Sequence, residues 1–170
     1  MTNLSTSYTE VGASNPVDMA EELAGANEWA YERHNEQELT LFMSSQYTEL
    51  QFRLFWRDDL KTLQFACLFD MKVPEGRRAE LYKAVGLANE RLWIGHFEYW
   101  AEEDALLFRH ASLANDPLLG IVTEDHIVSI IETALGECER FFPVYQFVIW
   151  GGQTPEEAIE TAMLDCAGSA

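Results

Sequence analysis

The sequence predicts an α+β domain: an antiparallel sheet of about five strands with helices packed on one side. Three observations carry this. Several stretches alternate apolar and polar residues with a period of two, others repeat apolar residues at helical spacing, and the elements run α-β-β-β-α-β-β-α-α. Consecutive strands joined by tight turns run antiparallel, and their apolar face needs a helical layer to bury it.

Residues 1–14 are rich in Ser, Thr and Asn without periodicity and are expected to form a disordered arm, leaving 15–170 as one domain. Asn15-Pro16 supplies an N-cap and a first-turn proline, and Met19, Leu23, Ala26 and Ala30 give a helix with one weakly apolar side, interrupted by Gly25, whose extent toward His34 the pattern does not fix. Leu39–Met43 reads as a short strand. Leu50, Phe52, Leu54 and Trp56 then alternate with Glu49, Gln51 and Arg53, and after the Arg57-Asp58-Asp59 turn Leu63, Phe65, Cys67, Phe69 and Met71 resume the period, completing a three-stranded meander. Beyond Pro74-Glu75-Gly76, Leu81, Val85, Ala88 and Leu92 predict a second helix over about Arg77–Trp93, ended by Gly95. Phe97 and Tyr99, then Leu106 and Phe108, alternate around Glu102-Glu103-Asp104 as a hairpin. After the Asn115-Asp116-Pro117 loop, Thr123 caps the strongest helical stripe, from Ile127 to Phe142, which Pro143 should kink or end, with Tyr145–Trp150 able to continue beyond the kink. Thr154-Pro155-Glu156-Glu157 starts a short last helix, with Gly168 placed beyond its end.

A formal charge of −18 and only one adjacent basic pair, Arg77-Arg78, oppose binding to nucleic acid or to an anionic membrane. The acidity serves solubility or attracts a basic partner. Met1–Asn15 lacks the basic and apolar regions of a secretory signal, and the densest apolar run, Phe141–Trp150, is too short to span a membrane, so a cytoplasmic location is expected. Cys67, Cys138 and Cys166 are odd in number and widely spaced. Reduced thiols follow, with Cys67 and Cys138 on apolar faces.

Catalytic patterns are missing from the sequence: it has no nucleophile-elbow glycines and no complete phosphate loop around Gly151-Gly152, so neither catalytic residues nor a cofactor is expected. His96 and Glu98 share a strand face with His110 on the next strand, which offers a metal-dependent enzyme or sensor as an alternative, against the plainer reading of polar groups on a sheet surface. Trp29, Trp56, Trp93, Trp100 and Trp150 are core residues or an exposed aromatic surface. Among the aromatics, Trp56, Phe97, Tyr99, Trp100 and Trp150 are the candidates for partner contact.

The stretch Asn89-Glu90-Arg91-Leu92-Trp93-Ile94-Gly95-His96-Phe97, together with Glu139-Arg140-Phe141-Phe142-Pro143, Gly151-Gly152 and the tail around Gly168, resembles the YbjN-like family of bacterial proteins. The resemblance extends over roughly Pro16–Gly168. It implies a regulatory role in sensory transduction, a fold similar to that of type III secretion chaperones, and a homodimer able to hold a protein partner or client. No catalytic residues come with it. Together with the charge and the aromatics it leads to a non-enzymatic, chaperone-like or regulatory protein-interaction module.

Overall fold

The structure is a computed structural model and describes residues 15–114 and 122–168. The expected N-terminal arm and the Asn115-Asp116-Pro117 loop lie outside the described residues. The elements are α1 (Pro16–Ala26), β1 (Ala30–Asn35), β2 (Glu38–Ser44), β3 (Glu49–Arg57), β4 (Thr62–Leu68), α2 (Arg78–Asn89), β5 (His96–Trp100), β6 (Ala105–Leu113), α3 (Glu124–Ile149) and α4 (Pro155–Gly168). The class is α+β, as the sequence predicts, with six antiparallel strands in the order β1-β2-β3-β4-β6-β5 and four helices.

The sixth strand, β1, is one more than the five expected and occupies the stretch toward His34 where the pattern leaves the end of the first helix open. Asn15 caps α1 through a bond from the Val17 N–H at 2.9 Å, and the helix stops at Ala26. The reason β1 leaves no period-two signature is that almost all of it is exposed. Its pairing with β2 and the ion pairs from Arg33 to Asp18 and Glu21 of α1, both 2.8 Å, hold it in place.

Strands β2–β6 each turn one face to the helices. Leu39 and Leu41 of β2, Phe52, Leu54 and Trp56 of β3, Phe65 and Cys67 of β4, and Phe97 and Phe108 of β5 and β6 form one buried core with the apolar sides of all four helices. Phe97 is its aromatic hub, with ring centroids 5.3–5.4 Å from Phe108, Phe141 and Tyr145. Such tilted contacts add about 0.5–1.5 kcal/mol each beyond area burial. Cys67 and Cys138 lie in this core as free thiols, and burial pushes the Cys138 thiol well above its ordinary pKa.

Helix α3 runs through Pro143 to Ile149. An internal proline costs about 3 kcal/mol. Burial of Phe141, Phe142, Val144, Tyr145, Val148 and Ile149 around it offsets that cost, and Arg77 closes the helix by donating to the Val148 and Gln153 carbonyls at 2.6–2.9 Å. Helix α2 is shorter than expected, ending at Asn89 rather than Trp93, and α4 includes Gly168.

The opposite face of the sheet carries no helix among the described residues. It carries Phe42, Phe55, Leu68 and Trp100, half-buried or exposed, interleaved with polar side chains, while Leu107 on the same face is buried. Among the described residues no helix is long and apolar enough to cross a membrane.

Candidate functional site

The connection from α2 to β5 is the most unusual surface of the molecule. Leu81, Ala84, Val85 and Ala88 bury one side of α2, which fixes the position of Asn89 at its C-terminal end. The Asn89 carboxamide then accepts the Phe97 N–H at 2.7 Å and donates to the Phe97 carbonyl at 3.1 Å. Because β5 is the last strand of the sheet, this side chain occupies main-chain groups that a further strand would take. At the other end of the connection Gly95 has φ +69°, and a Cβ there would lie 2.2 Å from the Phe108 ring. Only glycine tolerates both constraints.

Between these two fixed points Leu92 packs against the core while Trp93 is 100% exposed and Ile94 49% exposed. A tryptophan buries about 150–250 Å² when packed. At about 25 cal/mol per Å² that is roughly 4–6 kcal/mol of apolar stabilisation left unused in the monomer.

Next to this loop, Glu98 of β5 receives three bonds of 2.8 Å, from His96 and Arg109 at one oxygen and from the Trp100 indole N–H at the other. Burial raises the Glu98 pKa, but the bonds from His96 and Trp100 and the charge of Arg109 outweigh it, and the carboxyl titrates below its ordinary value. His110 does not join this group, which corrects the idea of a converging His96-Glu98-His110 set. The register pairs His96 with Arg109, so His110, one residue further along β6, points to the helix side beside Phe65. There it bonds Ser112 at 3.1 Å, and burial, then the charges of His126 and His96, lower its pKa. No group of three His, Cys, Asp or Glu side chains among the described residues is placed to hold a metal ion.

A cleft of about 310 Å³ at the other end of this hairpin is lined by Glu49, Asp70, Glu103, Asp104 and Lys72, with apolar and amide neighbours. Its lining offers carboxylates and one ammonium, with neither a histidine nor a Ser or Cys nucleophile.

The aromatic candidates divide sharply. Phe97 is 1% exposed, and Trp56 and Tyr99 are also buried, so as the chain stands these three offer a partner almost nothing. Their strand positions face the helices, and the Tyr99 hydroxyl is spent on Asp104 at 2.7 Å. Trp100, 39% exposed, and Trp150, 55% exposed, do reach the surface. Trp93 is absent from the aromatics that the sequence singles out for partner contact. A signal is present in the spacing: at helical spacing Leu81, Val85, Ala88 and Leu92 share one face and Trp93 falls about 100° off it, although α2 itself ends at Asn89.

An open antiparallel sheet, one helical layer and an exposed tryptophan on the α2–β5 connection define a small α+β protein. The family model for YbjN, described as "Putative bacterial sensory transduction regulator", matches residues 16–147, and the chain belongs to this family. A similar fold is seen in the crystal structure of YbjN from E. coli, described as "a putative transcription regulator": 11% identity, TM-score 0.55, covering 72% of this chain and 85% of that one. No curated protein matches the sequence.

Proposed function

We propose that this protein is a non-catalytic interaction module of a bacterial regulatory or protein-handling system, working in the cytoplasm as a homodimer and holding a protein partner through the Trp93 loop. The observation that carries the reading is a fully exposed tryptophan on a loop braced by Asn89 and Gly95. Large aromatics presented on a rigid frame bind at low entropic cost, and Trp is prominent among interface residues whose truncation costs about 2 kcal/mol or more. Family membership supports a regulatory role, and the cleft and the His96-Glu98 group supply no catalytic constellation. The acidic surroundings favour a partner with basic residues beside its apolar contact.

The test is affinity capture from the native host with the wild-type chain and Trp93→Ala. The side chain touches nothing that truncation would lose, so stability should stay within about 0.5 kcal/mol. Partners recovered by the wild type should be absent or at least tenfold depleted with Trp93→Ala. Capture that ignores both Trp93→Ala and Ile94→Ala would refute the assignment of the loop.

A further inference from the structure

We infer that the helix-free face of the sheet is the homodimer interface, with two copies packed face to face as a sandwich. The inference rests on the dimeric reading above and names its surface. Three features of the face select a second copy of this chain as its occupant.

The first is charge. The chain carries −18 overall, so two copies repel over most of their surfaces. The strand residues of this face contribute four carboxylates, Glu32, Glu38, Glu49 and Glu98, against three guanidiniums, Arg53, Arg57 and Arg109, a balance near −1. Two acidic molecules can meet here with little repulsion. The second is area. Six strands about 4.8 Å apart, averaging some seven residues at about 3.3 Å, span roughly 29 by 23 Å. Joining two such faces buries about 1,300 Å² in total, within the range of about 1,200–2,000 Å² for stable interfaces.

The third is self-complementarity. The cross-strand register sets Glu32, Thr40, Arg53, Ala66, Arg109 and His96 in one row across the whole sheet. A twofold axis running along the strands between β3 and β4 lays β1 over β5 of the other copy, β2 over β6 and β3 over β4. Each row then meets its own reverse. Glu32 faces His96, and Arg53, which has no ion-pair partner among the described residues, lies over Ala66, the smallest side chain of the row; Thr40 and Ala66 are already buried in the single chain, so the contacts of this row come from its long side chains. In the adjacent row Gln51 faces Leu68, both accessible in the single chain, and the half-buried Phe42 lies over β6. Aligned sheets pack about 10 Å apart with a modest rotation, which keeps these residues within side-chain reach. The sheet edges are poorer routes to a dimer: Asn89 occupies the β5 edge, and β1 carries Glu32, Arg33 and a register irregularity.

The experiment combines light scattering with cross-linking. The wild type should have the mass of two chains at micromolar concentration. Arg53→Glu and Phe42→Glu, both at half-buried surface positions, should each weaken dimerisation at least a hundredfold with an unchanged circular dichroism spectrum. In a Cys166→Ser background, Glu32→Cys and His96→Cys proteins mixed in equal amounts should be joined into a dimer by a short bis-maleimide linker, which spans the gap of about 10 Å between packed sheets that a disulfide cannot. Within one chain these positions are about 24 Å apart, five strand spacings, so the link reports contact between copies. A monomeric wild type overturns both the dimer and its face. A dimer that ignores both charge substitutions and fails to cross-link overturns the face alone, and leaves the dimer standing.

Discussion

Replacing a glycine by alanine at two places in this chain should have opposite signs. At Gly95 two penalties combine. With φ +69° an L-residue sits in the left-handed region, costing about 1–2 kcal/mol. The added methyl would also lie 2.2 Å and 2.8 Å from ring carbons of Phe108 and 2.9 Å from the Arg109 carbonyl oxygen. The ring is locked, because Phe108 packs on the hub residue Phe97 with centroids 5.4 Å apart, so overpacking adds about 1–3 kcal/mol. Gly95→Ala should therefore destabilise by about 2–5 kcal/mol. Gly86 lies inside α2, where a methyl added to it would meet nothing within 4 Å, and there alanine should stabilise by about 0.5–1 kcal/mol through helix propensity. Urea unfolding followed by circular dichroism separates the two by the midpoint shift at constant slope. A Gly95→Ala loss below about 1 kcal/mol would mean that the α2–β5 loop is not braced as described, and the rigidity attributed to Trp93 would go with it.

Two further expectations follow from buried polar groups. The Tyr145 hydroxyl is fully buried with no hydrogen-bond partner, so Tyr145→Phe should stabilise the fold by about 1–2 kcal/mol; a loss of more than about 0.5 kcal/mol in the same assay would reveal a partner. His110 titrates below the ordinary value of 6.5, chiefly through burial, so the unfolded chain takes up its proton first as pH falls. Its contribution is fully present above about pH 6.5 and declines below it. His110→Gln should flatten the pH dependence of the unfolding midpoint between about pH 6.5 and 5, and an unchanged slope would refute the assignment.

How much of this is legible in the sequence depends on where side chains are buried. Strands β3 and β4 and helix α3 announce themselves because one face of each is buried and the other is not, which writes a period into the chain. The strand β1 belongs to the sheet through main-chain pairing and the reach of Arg33 to α1, and neither leaves a hydropathy pattern. Helix α2 ends at Asn89 rather than Trp93 because Asn89 is spent on Phe97, eight residues away, a contact that only the folded chain makes. Likewise, alternation identifies Phe97 and Tyr99 as sharing a face without saying which face is covered, and their candidacy as surface aromatics fails on that point. The separation of His110 from His96 needs the β5–β6 register, where a shift of one residue reverses every side chain.

The carboxamide of Asn89 closes part of one of the sheet's two margins, the β5 edge. A β-sheet has no intrinsic stopping rule: any strand with idle N–H and C=O groups is a template for the next, whether from another protein or from another molecule of the same one. Here the terminus is supplied by an amide that happens to be a side chain, held at the right distance by a helix rather than by a neighbouring strand. Such a terminator is cheap in sequence, one residue, yet fragile, since alanine at that position would leave the molecule folded around an unsealed margin. Chains so altered would differ from the parent less in stability than in their tendency to pair along the β5 margin at high concentration.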